Sequence, residues 1–246
     1  MESSKRNFDC HAFATDDELA EAAAERFAAR IMAARTESRL FSVALSGGRI
    51  AHRFFAAAAK LIAAQGAIGS ATHFFWADER CVPPDHPESN YRTASELLLE
   101  TLAVPAFQIH RIPGELPPAA AASRAATEFA NVMARNSIRP PRVDLALLGM
   151  GEDGHIASLF PEEPVNTQAD PAIFRAVVGP KPPPNRVTMG YFTLAAAREV
   201  WVLVSGTGKE SALKESLSTS GKTPLARLLG MRPTTRILSS VHLPLK

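Results

Sequence analysis

Apolar positions along the chain follow two rhythms. From Asp16 to about Arg35 they recur every three or four residues in an Ala-rich stretch, the period of one helical face. Thr15-Asp16-Asp17-Glu18 opens that stretch as a capping box: Thr15 takes an orphan N–H and Glu18 reaches back. Leu40 to Leu45 is instead a short continuous apolar run with β-branched character, the mark of a buried strand, and Ser46-Gly47-Gly48 breaks it. The same criteria predict strands over Thr72 to Ala77, Val143 to Leu148, Phe174 to Val178, Arg186 to Met189 and Val200 to Val204. Helices are predicted over Ala51 to Ala64, from Ser89 to about Leu102, and over Ala119 to Arg135, Lys209 to Leu217 and Leu225 to Gly230. Pro83, Pro84 and Pro87 make a rigid loop, Val104 to Pro118 is irregular, and Pro180 to Pro184 is a surface loop too short for a domain linker. Strands alternating with helices predict an α/β fold, a mostly parallel sheet with helices on both faces. No internal repeat divides the 246 residues, so a single domain over 1–246 is expected.

Composition narrows the function classes. Hydrophobic residues make up 46% and charged residues 21%, as in ordinary globular proteins. Lys plus Arg outnumber Asp plus Glu by only 27 to 25, so no overall field draws the chain to nucleic acid or to an acidic membrane. An anionic ligand would need a few placed groups. Cys10 and Cys81 are far apart and lack metal-ligand spacing, which argues against a disulfide framework and for a reducing compartment. Cys81 follows Arg80 and reads either as a lowered-pKa thiol or as a small half-buried side chain. Met1 to Cys10 lacks the apolar run of a secretory signal, and no stretch of about 18 apolar residues could span a bilayer. The expectation is a cytoplasmic protein, with no nucleic acid and no membrane as partner.

Folds of this kind bind ligands at the carboxyl ends of strands. Three such ends carry unusual residues. Ser46-Gly47-Gly48 is either an anion cradle at a helix N-terminus, with the Ser46 hydroxyl added, or a tight turn with no ligand. Asp78-Glu79-Arg80 places three charges after an aromatic strand; Arg80 can fork a phosphate and Asp78 can hold sugar hydroxyls, unless the segment is a solvated turn with a local ion pair. Ser89-Asn90 would bring more polar groups to the same region. The third is Gly149-Met150-Gly151-Glu152-Asp153-Gly154-His155, where Asp153 is near enough in sequence to orient His155 as a general base. The glycines also fit Gly-x-Gly-x-x-Gly. The dinucleotide fingerprint opens a long helix, however, and here Pro161 and Pro164 follow; Asp170, in a Pro-rich stretch, is no ribose ligand. Gly206-Thr207-Gly208-Lys209 puts a cation at a helix start, which either a bound phosphate or simple exposure would explain.

These blocks together resemble the 6-phosphogluconolactonase family. The matching pieces are Leu45 to Gly48, Trp76 to Pro83 with Ser89-Asn90, Asp144 to Pro161, Pro182 to Thr188, and Gly206 to Lys209, in family order. The resemblance implies a Rossmann-like fold shared with glucosamine-6-phosphate isomerase/deaminase. It implies hydrolysis of 6-phospho-D-glucono-1,5-lactone to 6-phospho-D-gluconate in the oxidative pentose phosphate pathway, with no metal and no cofactor. It further implies His155 and Asp153 as the catalytic pair, with Ser46, Gly47, Gly48, Asp78, Arg80, Gly151, Arg186 and Lys209 binding a small sugar-phosphate lactone. Backbone N–H groups of Gly149 to Gly154 become candidates for oxyanion stabilisation. The alternatives are the isomerase/deaminase and a non-catalytic sugar-phosphate sensor. Ser158-Leu159-Phe160-Pro161 and Arg80, where the deaminase tends to have Tyr, favour the lactonase. A sensor would need a DNA-binding module, for which 39 residues before the strand at Leu40 leave no room. Two departures stand out: Arg49-Ile50-Ala51 replaces the usual Ser-Thr-Pro, and Ser239 to Pro244 lacks the family's Asp and Ala. The expected assembly is a monomer or small homo-oligomer.

Overall fold

The protein is described from a computed structural model, in which residues 8–66, 71–163 and 169–242 are placed. Pro164, the residues before Phe8, and Leu243 and Pro244 lie outside the described residues. The first half contains strand β1 (Phe8–Ala12), helix α1 (Asp16–Thr36), β2 (Phe41–Leu45), α2 (Arg49–Ala64), β3 (Thr72–Trp76) and β4 (Asp78–Arg80). Helix α3 (Asn90–Ala94) continues as a π turn, and β5 (Ile109–His110) and α4 (Pro118–Arg135) follow. The second half contains β6 (Leu145–Gly149), β7 (Phe174–Val178), β8 (Asn185–Met189), α5 (Tyr191–Ala196), β9 (Glu199–Val204), α6 (Glu210–Leu217), α7 (Pro224–Gly230) and β10 (Thr235–Ser239).

Seven strands form a parallel sheet in the order β1-β10-β9-β6-β2-β3-β5. From β2 the chain first winds outward through β3 to β5. It then returns to the other side of β2 with β6 and winds the opposite way through β9 and β10. The reversal lies between β2 and β6, and the loops leaving those two strands must diverge there, opening a crevice at their carboxyl ends.

Packing follows from the register. Ala44 pairs with Phe75, so these two side chains share a face, and Phe41 points to the other. Phe27 of α1 packs against Phe41 of β2 and Phe54 of α2, whereas Phe129 of α4 packs edge-on against Phe75. Helices therefore cover both faces, as expected. Each of these fully buried rings contributes about 2 kcal/mol through area removed from water. The Thr15 cap forms as expected, with Thr15 Oγ1 accepting the Glu18 N–H at 3.1 Å, while Glu18 reaches back one residue further, to the Ala14 N–H at 3.0 Å.

The structure adds what the periodicity did not. β1 and β10 complete one edge of the sheet, with β1 half exposed and alternating in polarity. The strand expected over Leu40 to Leu45 is present as β2, but β1 precedes it as the first strand of the chain. β7 and β8 do not join the parallel sheet; with β4 they form a separate antiparallel sheet in the order β4-β8-β7. Pro180 to Pro184 connects β7 to β8, as a surface loop should. Among the described residues, no helix is long and apolar enough to cross a membrane.

Candidate active site

The crevice at the sheet reversal is a cavity walled by all three strand ends. Its lining includes Ser46, Gly47, Gly48, Asp78, Arg80, Gly151, His155, Arg186 and Lys209, so one surface gathers nine of the ten expected site residues. Asp153 is the exception: it lines a neighbouring hollow with Phe160 and Pro161. It meets His155 from there.

β6 ends at Gly149, and the chain folds back on itself at once. Met150 bridges Ile156, Gly151 N–H donates to the His155 carbonyl at 2.9 Å, and Gly154 N–H donates to the Gly151 carbonyl at 3.1 Å. Through Glu163 no helix follows Gly154; Ile156 instead bridges Leu159. This removes the geometry a dinucleotide would need. The same bonds occupy the Gly151 and Gly154 N–H groups, which corrects the expectation that they face an oxyanion. Gly151 is small for a different reason: a Cβ there would sit 2.1 Å from His155 Nδ1 and Cε1.

Asp153 Oδ1 lies 2.5 Å from His155 Nδ1 and accepts the His155 N–H at 3.0 Å. Burial alone would raise the Asp153 carboxyl; the hydrogen bonds from His155 outweigh it and hold the group at about 2. A carboxylate on Nδ1 favours the tautomer with its proton there and leaves the lone pair on Nε2. The pair can therefore accept a proton at Nε2 beside the cavity.

The charged segment after β3 is a strand, not a solvated turn. β4 pairs antiparallel with β8, and the register sets Arg80 opposite Arg186. Arg80 Nη1 donates to the Glu88 carbonyl and carboxylate, while its Nε is buried without a partner among the described residues. Arg186 is buried, bonded to the carbonyls of Pro183 and Lys181, and rests over the Phe160 ring. Desolvation, then the neighbouring Arg80 charge, lower its pKa. Lys209, preceded by Gly206 and Gly208 at φ near +80°, is also pulled down, by desolvation first and by Arg49 next. Cations crowded together in this way are poised for an anion.

Asp78 is 4% exposed, and its Oδ2 accepts the Ser158 hydroxyl at 2.7 Å. That bond ties β4 to the segment after His155 and leaves Oδ1 as the freer oxygen. Asn90 lies against both strand ends: its Nδ2 donates to the Asp78 carbonyl at 2.9 Å, and its side chain fills the space where a Gly47 Cβ would be. Glu79, which sequence reasoning passed over, anchors the assembly. Its two oxygens accept the N–H groups of Arg80, Asn90 and Tyr91 and the Ser89 hydroxyl. Burial pushes its carboxyl up to about 7, against the lowering pull of those N–H groups. The visible signal was an acidic residue ten positions before a Ser cap. Cys81 is the half-buried thiol of the two readings, and burial raises its pKa.

A family model described as glucosamine-6-phosphate isomerases/6-phosphogluconolactonase matches residues 14–238. The chain belongs to this family. It is similar to the 6-phosphogluconolactonase of Streptomyces coelicolor, 35% identical over 230 residues that cover 90% of this chain and 88% of that protein. It is also similar to the human 6-phosphogluconolactonase, 37% identical over 215 residues, with coverage of 86% and 80%. Among solved structures, the 6-phosphogluconolactonase from Trypanosoma brucei superposes with a TM-score of 0.80 at 29% identity, covering 94% of this chain and 95% of that one. The matched residues span all five sequence blocks. Family membership gives no account of Arg49, which stands in the cavity wall beside Lys209.

Proposed function

We propose that the protein hydrolyses 6-phospho-D-glucono-1,5-lactone to 6-phospho-D-gluconate, the lactonase step of the oxidative pentose phosphate pathway. One observation carries the reading: an imidazole fixed through Nδ1 by a carboxylate shares a cavity with several cations at the reversal of a parallel sheet. His155 Nε2 takes a proton from water as the water oxygen attacks the lactone carbonyl carbon. The tetrahedral adduct collapses with cleavage of the bond from that carbon to the ring oxygen. His155 returns the proton to the leaving oxygen, and the product acid ionises. Asp153 orients the ring and stabilises the imidazolium between the two transfers. Lys209 and Arg80 hold the phosphate, with Arg186 behind Arg80, and the Asp78 oxygen left free by Ser158 receives sugar hydroxyls.

The test is a pH-stat assay with freshly made phosphorylated lactone, corrected for its spontaneous hydrolysis. Enzyme-dependent proton release is expected; none above the spontaneous rate would overturn the reading. Incubation with glucosamine 6-phosphate should release no ammonia. Lys209→Ala should raise KM for the phosphorylated lactone far more than for unphosphorylated gluconolactone. Equal losses on both would remove Lys209 from phosphate binding.

A further inference from the structure

Helix α2 starts at the cavity, and its start is unusual. Gly48, its N-cap, has φ +100° and gives no side-chain cap, and no acidic residue stands in the first turn. The positive end of a 16-residue helix is thus left without a carboxylate from its own first turn. Just before it, Ser46 lines the same cavity; the residue is only 9% exposed, and its Oγ is buried with no hydrogen-bond partner among the described residues. A buried hydroxyl in that state needs a ligand or a water.

Arg49 is the first residue of α2 and reaches across this opening. Its guanidinium lies over Gly206, where an added Cβ would come within 3.3 Å of Nη2. That places it against the loop carrying Lys209, and after desolvation its charge is the next influence lowering Lys209. Among the described residues its ion-pair contact is long, 4.0 Å to Glu152, with both side chains mostly exposed. An exposed pair at that distance holds little. Two cations, a helix N-terminus and a buried hydroxyl therefore converge, with the loosely attached Glu152 carboxylate near Arg49 and the Asp16 carboxylate also acting on Lys209.

We propose that Arg49 is a specificity-determining residue that binds the phosphate dianion together with Ser46, the α2 N-terminus and Lys209, displacing Glu152 when it does so. The inference rests on the phosphorylated-lactone reading for its substrate, while its anion chemistry stands independently. A dianion between Arg49 and Lys209 turns their mutual repulsion into attraction toward a shared partner. Planar guanidinium donors suit phosphate oxygens. In a position where a hydroxyl would only accept or donate one bond, Arg49 adds a full charge, so it should discriminate by substrate charge and leave the chemical step alone.

The experiment has two arms. Calorimetric titration with inorganic phosphate reads binding without turnover; kinetics on phosphorylated and unphosphorylated gluconolactone read selectivity. For Arg49→Ala, phosphate affinity and the selectivity ratio should each fall about tenfold, the loss of one charge-assisted contact at a partly exposed site, with kcat within about twofold of wild type. Arg49→Lys should recover part of the loss. Glu152→Gln should tighten phosphate binding, because it removes the competing carboxylate. Wild-type affinity and selectivity in Arg49→Ala, or equal loss on both lactones, would overturn the inference. A wild-type protein that binds phosphate through Arg49 yet hydrolyses no lactone would sink the lactonase reading and leave this one standing.

Discussion

Gly151→Ala tests the catalytic geometry with a single methyl group. An ideal Cβ at this position lies 2.1 Å from His155 Cε1 and Nδ1 and 2.8 Å from Asp153 Oδ1. Ordinary contact begins at 3.4 Å, so the imidazole must retreat by more than an ångström. Displacing a reacting group by about 1 Å costs on the order of 10²-fold in rate, or about 3 kcal/mol of transition-state stabilisation. Folding should suffer much less. Gly151 has no left-handed φ that Ala would strain, and the His155 side chain is 32% exposed and has room to move outward. The stability cost should be about 1 kcal/mol, a drop of roughly 2–4 °C in Tm for a chain of this size. The assay pairs initial rates on the phosphorylated lactone with thermal melts. A second comparison sharpens it: introduced into His155→Ala, the same methyl should change the residual rate little, because the group it displaces is already gone. A Gly151→Ala protein with kcat within twofold of wild type would refute the argument that His155 must rest on Gly151. So would a loss as large in the His155→Ala background as in the wild type.

Other expectations follow from the same network. Asp153→Asn should lower kcat at least 10²-fold, because an amide facing Nδ1 no longer selects the working tautomer; unchanged kcat would remove Asp153 from the mechanism. The Asp153 carboxyl sits at about 2 in the folded protein, below its unfolded value of 3.8. Its contribution is therefore present above pH 4 and lost as pH falls toward 2. Discounted for partial exposure, it is on the order of 1 kcal/mol, readable as the difference between wild-type and Asp153→Asn urea melts across that window. Glu79 has the opposite sign: raised from 4.5 to about 7, it favours folding below pH 4.5, and that contribution is lost as pH rises through 7. Relative to wild type, Glu79→Gln should gain on the order of 3 kcal/mol between pH 4.5 and pH 8, on top of a pH-independent cost from setting an NH2 against N–H donors; a constant difference would contradict the raised carboxyl. Arg232 is buried and donates to the carbonyls of Ala195, Ala197 and Thr234, so Arg232→Ala should cost about 3 kcal/mol in denaturant melts without altering KM.

Much of the site was legible because its chemistry is local. Asp153 and His155 are two residues apart, so their pairing needs only a tight loop, and three glycines in six residues announce one. The strands of the sheet interior, β2, β3, β6 and β9, were readable because burial on both faces makes them continuously apolar. β1 and β10 were not: β1 alternates at an exposed edge, and β10 is recognisable only once its partners are known. β4 was hidden because its three charged residues look like a turn until β8 supplies a partner and Glu79 receives four donors from β4 and the α3 N-terminus.

The sequence by itself therefore determined the alternation of elements, the glycine loops at two strand ends, the capping of α1 and the proximity of Asp153 to His155. All are set by neighbours within a few positions, where propensity, spacing and backbone freedom decide. The tertiary structure alone decided which strand ends meet. The sheet reverses between β2 and β6, and that reversal brings Ser46 to Arg49, Asp78, Arg80, Asn90, Gly149 to Gly151, His155, Arg186 and Lys209 around one cavity. It also decided that β7 and β8 leave the parallel sheet to set Arg186 opposite Arg80, and that Arg49 faces Lys209 across the start of α2. Those are pairings between segments up to some 160 residues apart. Strand register and helix packing fix them, and no short-range pattern in the chain encodes either.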